Sequence, residues 1–307
     1  MDNQNAITTT TDIKPVVDMV INSLSSPHSR RAYERALIDF LTWWEAAGKP
    51  PLIKSTVNTY KIEVLEGSGL SPSTINQRIS AIRKLAGEAA DNGFLPQEQA
   101  NGISRIKGVS TAGVRSGNWL QQEQAQALLN APDISTLKGL RDRAILAVLV
   151  GSGVRRSEIA ALTFDMIQQR DGRWVIIDMI GKRNRVRTVP LPSWAKVAID
   201  QWDAAAGLTV GHVFRPMNKG GKITGDQVTS QLIYRVVNEY AKPLGYKDLA
   251  AHDLRRTFAK LAHKGGAPIE QIQITLGHAS LRTTERYLGV EQDLTDAPCD
   301  HLGLRLE

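Results

Sequence analysis

Apolar positions along this chain recur mostly at three- and four-residue spacing, and that spacing predicts helices. Over residues 29 to 47, Tyr33, Leu37, Phe40, Leu41 and Trp44 make one apolar stripe, and Gly48 with Pro50 ends it. Residues 71 to 91 predict a second helix, with Ser71 as N-cap, Pro72 at the first position, Ile75, Ile79, Ile82 and Ala86 inward, and Gly93 past the end. Thr56 to Leu65 reads as a third, so the first hundred residues are expected to form a small helical bundle. Gly102, Gly108, Gly113 and Gly117, set among Ser, Thr, Lys and Arg, then break the pattern and mark a linker.

Helical spacing resumes over Gln121 to Asn130 and Leu140 to Val150, followed by a short helix from Ser157 to Leu162. Trp174 to Met179 and Arg187 to Leu191 read as two β-rich runs joined by the basic turn Gly181-Lys182-Arg183-Asn184. Further helices are predicted over 193 to 206, 226 to 241, 253 to 264 and 268 to 276, and a last one carries Thr284 to Leu288. The expected fold class is mainly α with a small antiparallel β-sheet: a helical N-terminal domain plus an α+β second domain. The expected boundaries are a disordered N-terminus at 1–12, a helical domain at 13–101, a linker at 102–117, a second domain at 118–293 and a tail at 294–307.

Composition narrows the partners. A chain of 307 residues with 42% hydrophobic content has room for two cores. The net charge of +7 and pI near 9.5 suit a polyanion, or simply a solubilising surface. Residues 1 to 110 carry 12 Lys and Arg against 11 Asp and Glu, so the excess lies in the second half. Its densest cluster, Lys182, Arg183, Arg185 and Arg187, is either a solvated turn or a hairpin tip that reaches into a DNA groove. Arg30 and Arg31, Asn76, Arg83 and Lys84 on outer helix faces, and Arg105, Lys107 and Arg115 in the linker are the other candidates for DNA contact. A lone Cys299 excludes an intramolecular disulfide and a four-cysteine zinc site and suits a reducing cytoplasm. The start Met1-Asp2-Asn3-Gln4 does not read as a secretory signal, and the longest strongly apolar run, Ala144 to Val150, is too short to span a bilayer.

The chemistry concentrates in the second half. Gly151-Ser152-Gly153-Val154-Arg155 places an arginine in a glycine-permitted turn before a helix, where N–H groups favour an anion. In Ala251-His252-Asp253-Leu254-Arg255, three-residue spacing puts the imidazole and the guanidinium on one helical face, with Arg256 expected to point away. Leu276-Gly277-His278 ends another helix, and Tyr287 follows nine residues later in Thr283-Thr284-Glu285-Arg286-Tyr287-Leu288.

The order and wording of these motifs resemble the tyrosine recombinase family, the lambda-type phage integrases and Xer-like site-specific recombinases, over nearly the whole chain. The resemblance implies a SAM-like core-binding domain ahead of a catalytic domain. It also implies six catalytic residues: Arg155, Lys182, His252, Arg255, His278 and Tyr287. Tyr287 would be the nucleophile, Lys182 the proton donor to the leaving oxygen, and Glu158 the group that orients Arg155. Lysine suits that role because an ammonium exchanges its proton more readily than a guanidinium. Arg256 stands where many members carry a histidine, a departure expected to leave the chemistry unchanged.

The implied reaction cuts and rejoins double-stranded DNA through a 3′-phosphotyrosyl link and a Holliday junction, with no metal, cofactor or ATP. It implies a homotetramer on synapsed sites, with possible accessory proteins, no membrane partner and a cytoplasmic, nucleoid-associated location. The tail is expected either to dock on a neighbouring subunit or to pack on its own domain. The rival readings are a type IB topoisomerase, a catalytically silent DNA-binding regulator and a metal-dependent nuclease or transposase.

Overall fold

A computed structural model of the chain describes residues 14–110, 118–181 and 186–288. It divides into two compact units, one ending at Val114 and the other starting at Arg115.

The first unit is helical: α1 (Lys14–Asn22), α2 (Pro27–Ala46), α3 (Lys54–Thr59) running into a π-helical turn over Tyr60–Glu66, α4 (Pro72–Asp91) and α5 (Gln97–Ser104). Ser26 and Ser71 cap α2 and α4 by accepting the N–H of Ser29 and Thr74, each with proline in the first turn. Leu37, Phe40, Tyr60, Ile79, Ile82 and Leu85 are fully buried between these helices. The edge of Tyr60 meets Phe40 with ring centroids 5.0 Å apart. Sequence spacing predicts plain α-helix over 56 to 65. The π turn instead carries Tyr60 and Leu65, five residues apart, to the same buried side. Two helices escape sequence prediction. Among its described side chains α1 buries Val17 and Val20, while α5 and the residues just after it bury Ala100, Ile103 and Ile106, so the glycine-bearing stretch starts out folded.

The second unit surrounds α7 (Leu137–Ser152), whose residues 144–149 are all buried. Around it pack α6 (Gln122–Asn130), α9 (Ser193–Ala206), α10 (Ser230–Ala241) and α11 (Ala251–Lys264). This burial on all sides explains why α7 holds the longest strongly apolar run in the sequence, Ala144 to Val150. Its one fully buried carboxylate, Asp142, accepts hydrogen bonds from Lys138, Arg141 and the Tyr240 hydroxyl of α10.

The sheet is antiparallel in the order β1 (Ile167–Arg170), β2 (Arg173–Ile180), β3 (Val186–Pro190). In β2 the register shifts between Ile176 and Met179, where Asp178 sits at φ 52°. β1 is a third strand beyond the two expected; its Ile-Gln-Gln-Arg sequence carries no alternation to announce it. α8 (Arg156–Ala160), α12 (Ile269–Leu276) and α13 (Leu281–Leu288) complete the unit. A small separate cluster of Ala259, Ile272, Leu276 and Leu288 joins α11, α12 and α13. Among the described residues, no helix is long and apolar enough to cross a membrane.

Candidate active site

Two glycine turns bring the site together. α7 ends at Gly153 in the left-handed region (φ 59°), where a Cβ would lie 2.5 Å from the Phe258 ring. α12 ends the same way at Gly277 (φ 63°), where a Cβ would lie 2.9 Å from Arg187 Cδ. Arg255, only 1% exposed on α11, reaches both turns: Nη1 donates to the Gly153 carbonyl at 2.6 Å and Nη2 to the Leu276 carbonyl. Its Nε is buried without an acceptor among the described residues. Burial, and then the charge of Arg155, pushes its pKa down to about 10, so it remains a cation at neutral pH.

Arg155 follows the first turn as the N-cap of α8. Its backbone N–H donates to Glu158 Oε2 and its Nη1 to Oε1, both at 2.7 Å. This leaves the Nε and Nη2 edge of the guanidinium for an incoming anion. Glu158 is buried and also receives Arg187, whose Nη1 and Nη2 donate to its two oxygens at 2.9 Å each. Burial raises the Glu158 pKa, but the hydrogen bonds from Arg187 and the Arg155 N–H outweigh it, and the carboxyl is held below its usual range.

Arg187 departs from its expected place at a groove-reaching hairpin tip. Its side chain is 8% exposed, and Nε donates to the Thr275 carbonyl at 2.9 Å. Strand alternation puts it on the same side of β3 as buried Val189, so it binds the sheet to α12 and α8 instead of facing solvent.

Tyr287 shares a hydrogen bond with His252 Nε2 through its hydroxyl. Its ring meets His252 and His278 edge-on, with centroids 5.4 Å and 4.7 Å apart. His278 Nδ1 lies 2.9 Å from Oγ1 of Thr284, a buried residue one turn before Tyr287 on α13, so one contact fixes both the imidazole and the helix that carries the phenol. Arg155, His252 and Arg255 line a cavity of about 440 Å³ together with Ser157, Tyr234 and Ala250. Arg256 does not point away as its sequence position suggested. Its guanidinium carbon lies 5.1 Å from the Tyr287 ring centroid, because four-residue spacing sets it on the same face of α11 as His252.

Both histidines are held below the usual imidazole pKa, His252 by burial and then Arg255 and Arg256, His278 by burial and then Arg255 and Arg155. His278 falls to about 4. A folded pKa below the unfolded value of about 6.5 means that the unfolded chain binds more protons. This contribution to stability is full above pH 6.5 and is lost as pH falls toward 4. The urea midpoint should therefore decline over that window, and less steeply in His278→Asn; equal slopes in the two proteins would exclude His278 as a source.

The remaining candidates divide. Lys182, Arg183 and Arg185 of the basic turn, and Arg115 of the linker, lie outside the described residues, as does the 294–307 tail. In the first unit Arg31, Arg105 and Lys107 are exposed, and so is Arg30, although its Nε donates to the Leu24 carbonyl at 2.6 Å. Lys84 pairs with Glu88 at 2.6 Å, and Arg83 is half-buried, its Nε without a partner among the described residues. Asn76 is not free to meet DNA: its amide donates to the Val109 carbonyl at 3.0 Å and accepts the Val109 N–H at 2.8 Å. It therefore pins the chain beyond α5, and the outward face expected for it is not found.

Each unit matches a known protein family. Residues 118–293 match the phage integrase family, and residues 18–93 match the phage integrase N-terminal SAM-like domain. The chain is 30% identical to tyrosine recombinase XerC of Pelobacter propionicus over 275 residues, 87% of this chain and 86% of the relative. It is 34% identical to XerD of Pseudomonas putida over 177 residues, 56% of this chain and 57% of the relative. In fold it resembles the XerH site-specific recombinase bound to palindromic difH substrate in a post-cleavage complex, at 20% identity and a TM-score of 0.71, covering 91% of this chain and 81% of that one. It also resembles a lambda integrase dimer bound to a COC′ core site, at 15% identity and a TM-score of 0.67, covering 92% and 78%. The chain belongs to the phage integrase family of tyrosine recombinases. Its activity is that of a tyrosine-type site-specific recombinase.

Proposed function

We propose that residues 118–293 form the catalytic domain and that Tyr287 attacks a backbone phosphate of double-stranded DNA held between Arg155 and Arg255. The observation that carries this reading is the Tyr287 hydroxyl, hydrogen-bonded to an imidazole that lines the same cavity as both guanidiniums. His252, held neutral, takes the phenol proton at Nε2 as Oη forms its bond to phosphorus. The P–O5′ bond breaks, and the leaving oxygen takes a proton from Lys182. Arg155 and Arg255 bind the non-bridging oxygens, on which charge grows in the transition state, and His278 adds a hydrogen bond.

The covalent link retains the energy of the diester, so a 5′-hydroxyl from a second strand can displace Tyr287 and rejoin DNA without ATP. Exchange of two strand pairs through a Holliday junction then calls for four protomers on two sites. The helical unit, with Arg30, Arg31, Arg83, Lys84, Arg105 and Lys107 as candidate phosphate contacts, would grip the duplex. Arg187 and Asn76 are excluded from that role because their side chains are already engaged.

The test uses duplexes enriched from a random pool by binding to the full chain, nicked beside the cleavage position so that the released fragment diffuses away. A covalent protein–DNA adduct should accumulate in EDTA as fast as without it. Failure to form one would favour a DNA-binding regulator, and loss in EDTA a metal-dependent nuclease. Relaxation of supercoils without exchange between two sites would favour a type IB topoisomerase.

A further inference from the structure

The geometry points to Arg256 as a positioning residue that holds the Tyr287 ring and stabilises the negative charge that develops on it as the phenol proton is transferred. The inference rests on Tyr287 being the nucleophile. Arg256 is a buried cation, 8% exposed, with an unusual set of partners. Among the described residues its nearest carboxylate oxygen is Asp253 Oδ1, 3.5 Å from Nη1, while Asp253 Oδ2 is already occupied by the Ala250 N–H. Its Nε is buried with no hydrogen-bond acceptor among the described residues. What the guanidinium does have is the face of the Tyr287 ring, 5.1 Å from its carbon to the centroid. A desolvated guanidinium over an aromatic face is attracted by the ring's electron density.

Three groups thus orient this ring: His252 and His278 at its edges and Arg256 over its face. The contact also discriminates between ground state and reacting state. When the phenol gives its proton to His252 Nε2, the negative charge spreads from oxygen into the ring, and the attraction to a cation above the face strengthens. A contact stronger in the reacting form lowers the barrier, whereas one equally strong in both forms does not. Arg256 itself exchanges no proton and forms no bond to phosphorus.

Among the described residues, the charged and titratable groups facing Tyr287 are His252, Arg255 and Arg256 on α11, with Asp253 paired to Arg256, and His278 after α12. Arg256 is also among the charges that keep His252 neutral. Removing it should therefore let the His252 pKa rise and move the acid limb of the reaction to higher pH.

The test compares Arg256→Met and Arg256→Lys in single-turnover cleavage of the nicked duplex from pH 6 to 9, alongside DNA affinity. Arg256→Met should bind DNA as wild type does, cleave about 10-fold more slowly at pH 7 and regain rate as pH rises. Arg256→Lys should recover most of the loss. A rate like wild type for Arg256→Met, or one lowered equally at every pH and not rescued by lysine, would overturn the proposal. Should Arg256→Met fail to fold, Arg256→Gln against Arg256→Lys provides the same comparison. Tyr287→Phe separates the two failures. If it still forms the adduct, the nucleophile is misassigned whatever Arg256 does; if it forms none while Arg256→Met cleaves normally, only the role of Arg256 falls.

Discussion

Tyr287→Phe is expected to lower adduct formation by at least about 10⁴-fold, since removing the nucleophile of a covalent mechanism leaves no alternative first step. DNA binding should stay within about two-fold, because one phenol oxygen is a small part of an interface built on many phosphate contacts. The substitution is clean for a structural reason. The contacts with His252, His278 and Arg256 are made by the ring and survive, and only the hydrogen bond to His252 Nε2 is lost. A denaturing gel of the nicked-duplex reaction beside a gel shift reads both quantities. Tyr234→Phe is the matched control, since Tyr234 lines the same cavity as Arg155 and Arg255. Tyr60 is buried in the other unit, and the Tyr240 hydroxyl is engaged by Asp142. An adduct that survives Tyr287→Phe but not Tyr234→Phe would move the nucleophile to α10.

Much of the fold is legible in the sequence because its long helices carry strong local signals. α2 and α4 have serine caps, prolines in the first turn and sustained apolar stripes. α1 and β1 lack such signals, being nine and four residues long. Their existence depends on tertiary neighbours, on Val17 and Val20 reaching a core built by other helices and on β1 pairing with β2. The π turn is likewise invisible locally, since only the need to bury both Tyr60 and Leu65 selects it.

The site divides along similar lines. Five of the six residues that the resemblance singled out, Arg155, His252, Arg255, His278 and Tyr287, are joined by contacts or shared cavity walls, while Lys182 lies outside the described residues. Arg187 at a hairpin tip and Arg256 pointing away from the site are the two expectations that periodicity itself corrects. Arg187 shares strand parity with Val189, which places it inward, and Arg256 stands four residues after His252, which places it on the same helical face. Other features could not be foreseen: the Gly153 and Leu276 carbonyls as acceptors for Arg255, and the Thr284 hydroxyl as a partner of His278, arise only when distant turns meet.

Arg155→Ala is the second large effect expected, with cleavage lowered by about 10³-fold, the scale for losing a preorganised donor to a charge that develops in the transition state. The fold should withstand the change. Glu158 keeps Arg187 on both of its oxygens and the backbone N–H of residue 155 as a donor, so the buried carboxylate is not left unpaired. Arg255→Ala would be less informative, because it strips the donors from two buried carbonyls and combines a folding defect with a chemical one. For Arg155→Ala the melting temperature should stay close to wild type, and DNA affinity should lose about one phosphate's share, seen as a salt slope shallower by about one. Arg155→Lys should recover binding better than cleavage, since an ammonium restores the charge but cannot hold Glu158 through one nitrogen while presenting a planar pair of donors to the phosphate. Single-turnover cleavage, melting and affinity at several salt concentrations separate these effects. Cleavage within ten-fold of wild type in a folded Arg155→Ala protein would mean that the reacting phosphate is held elsewhere.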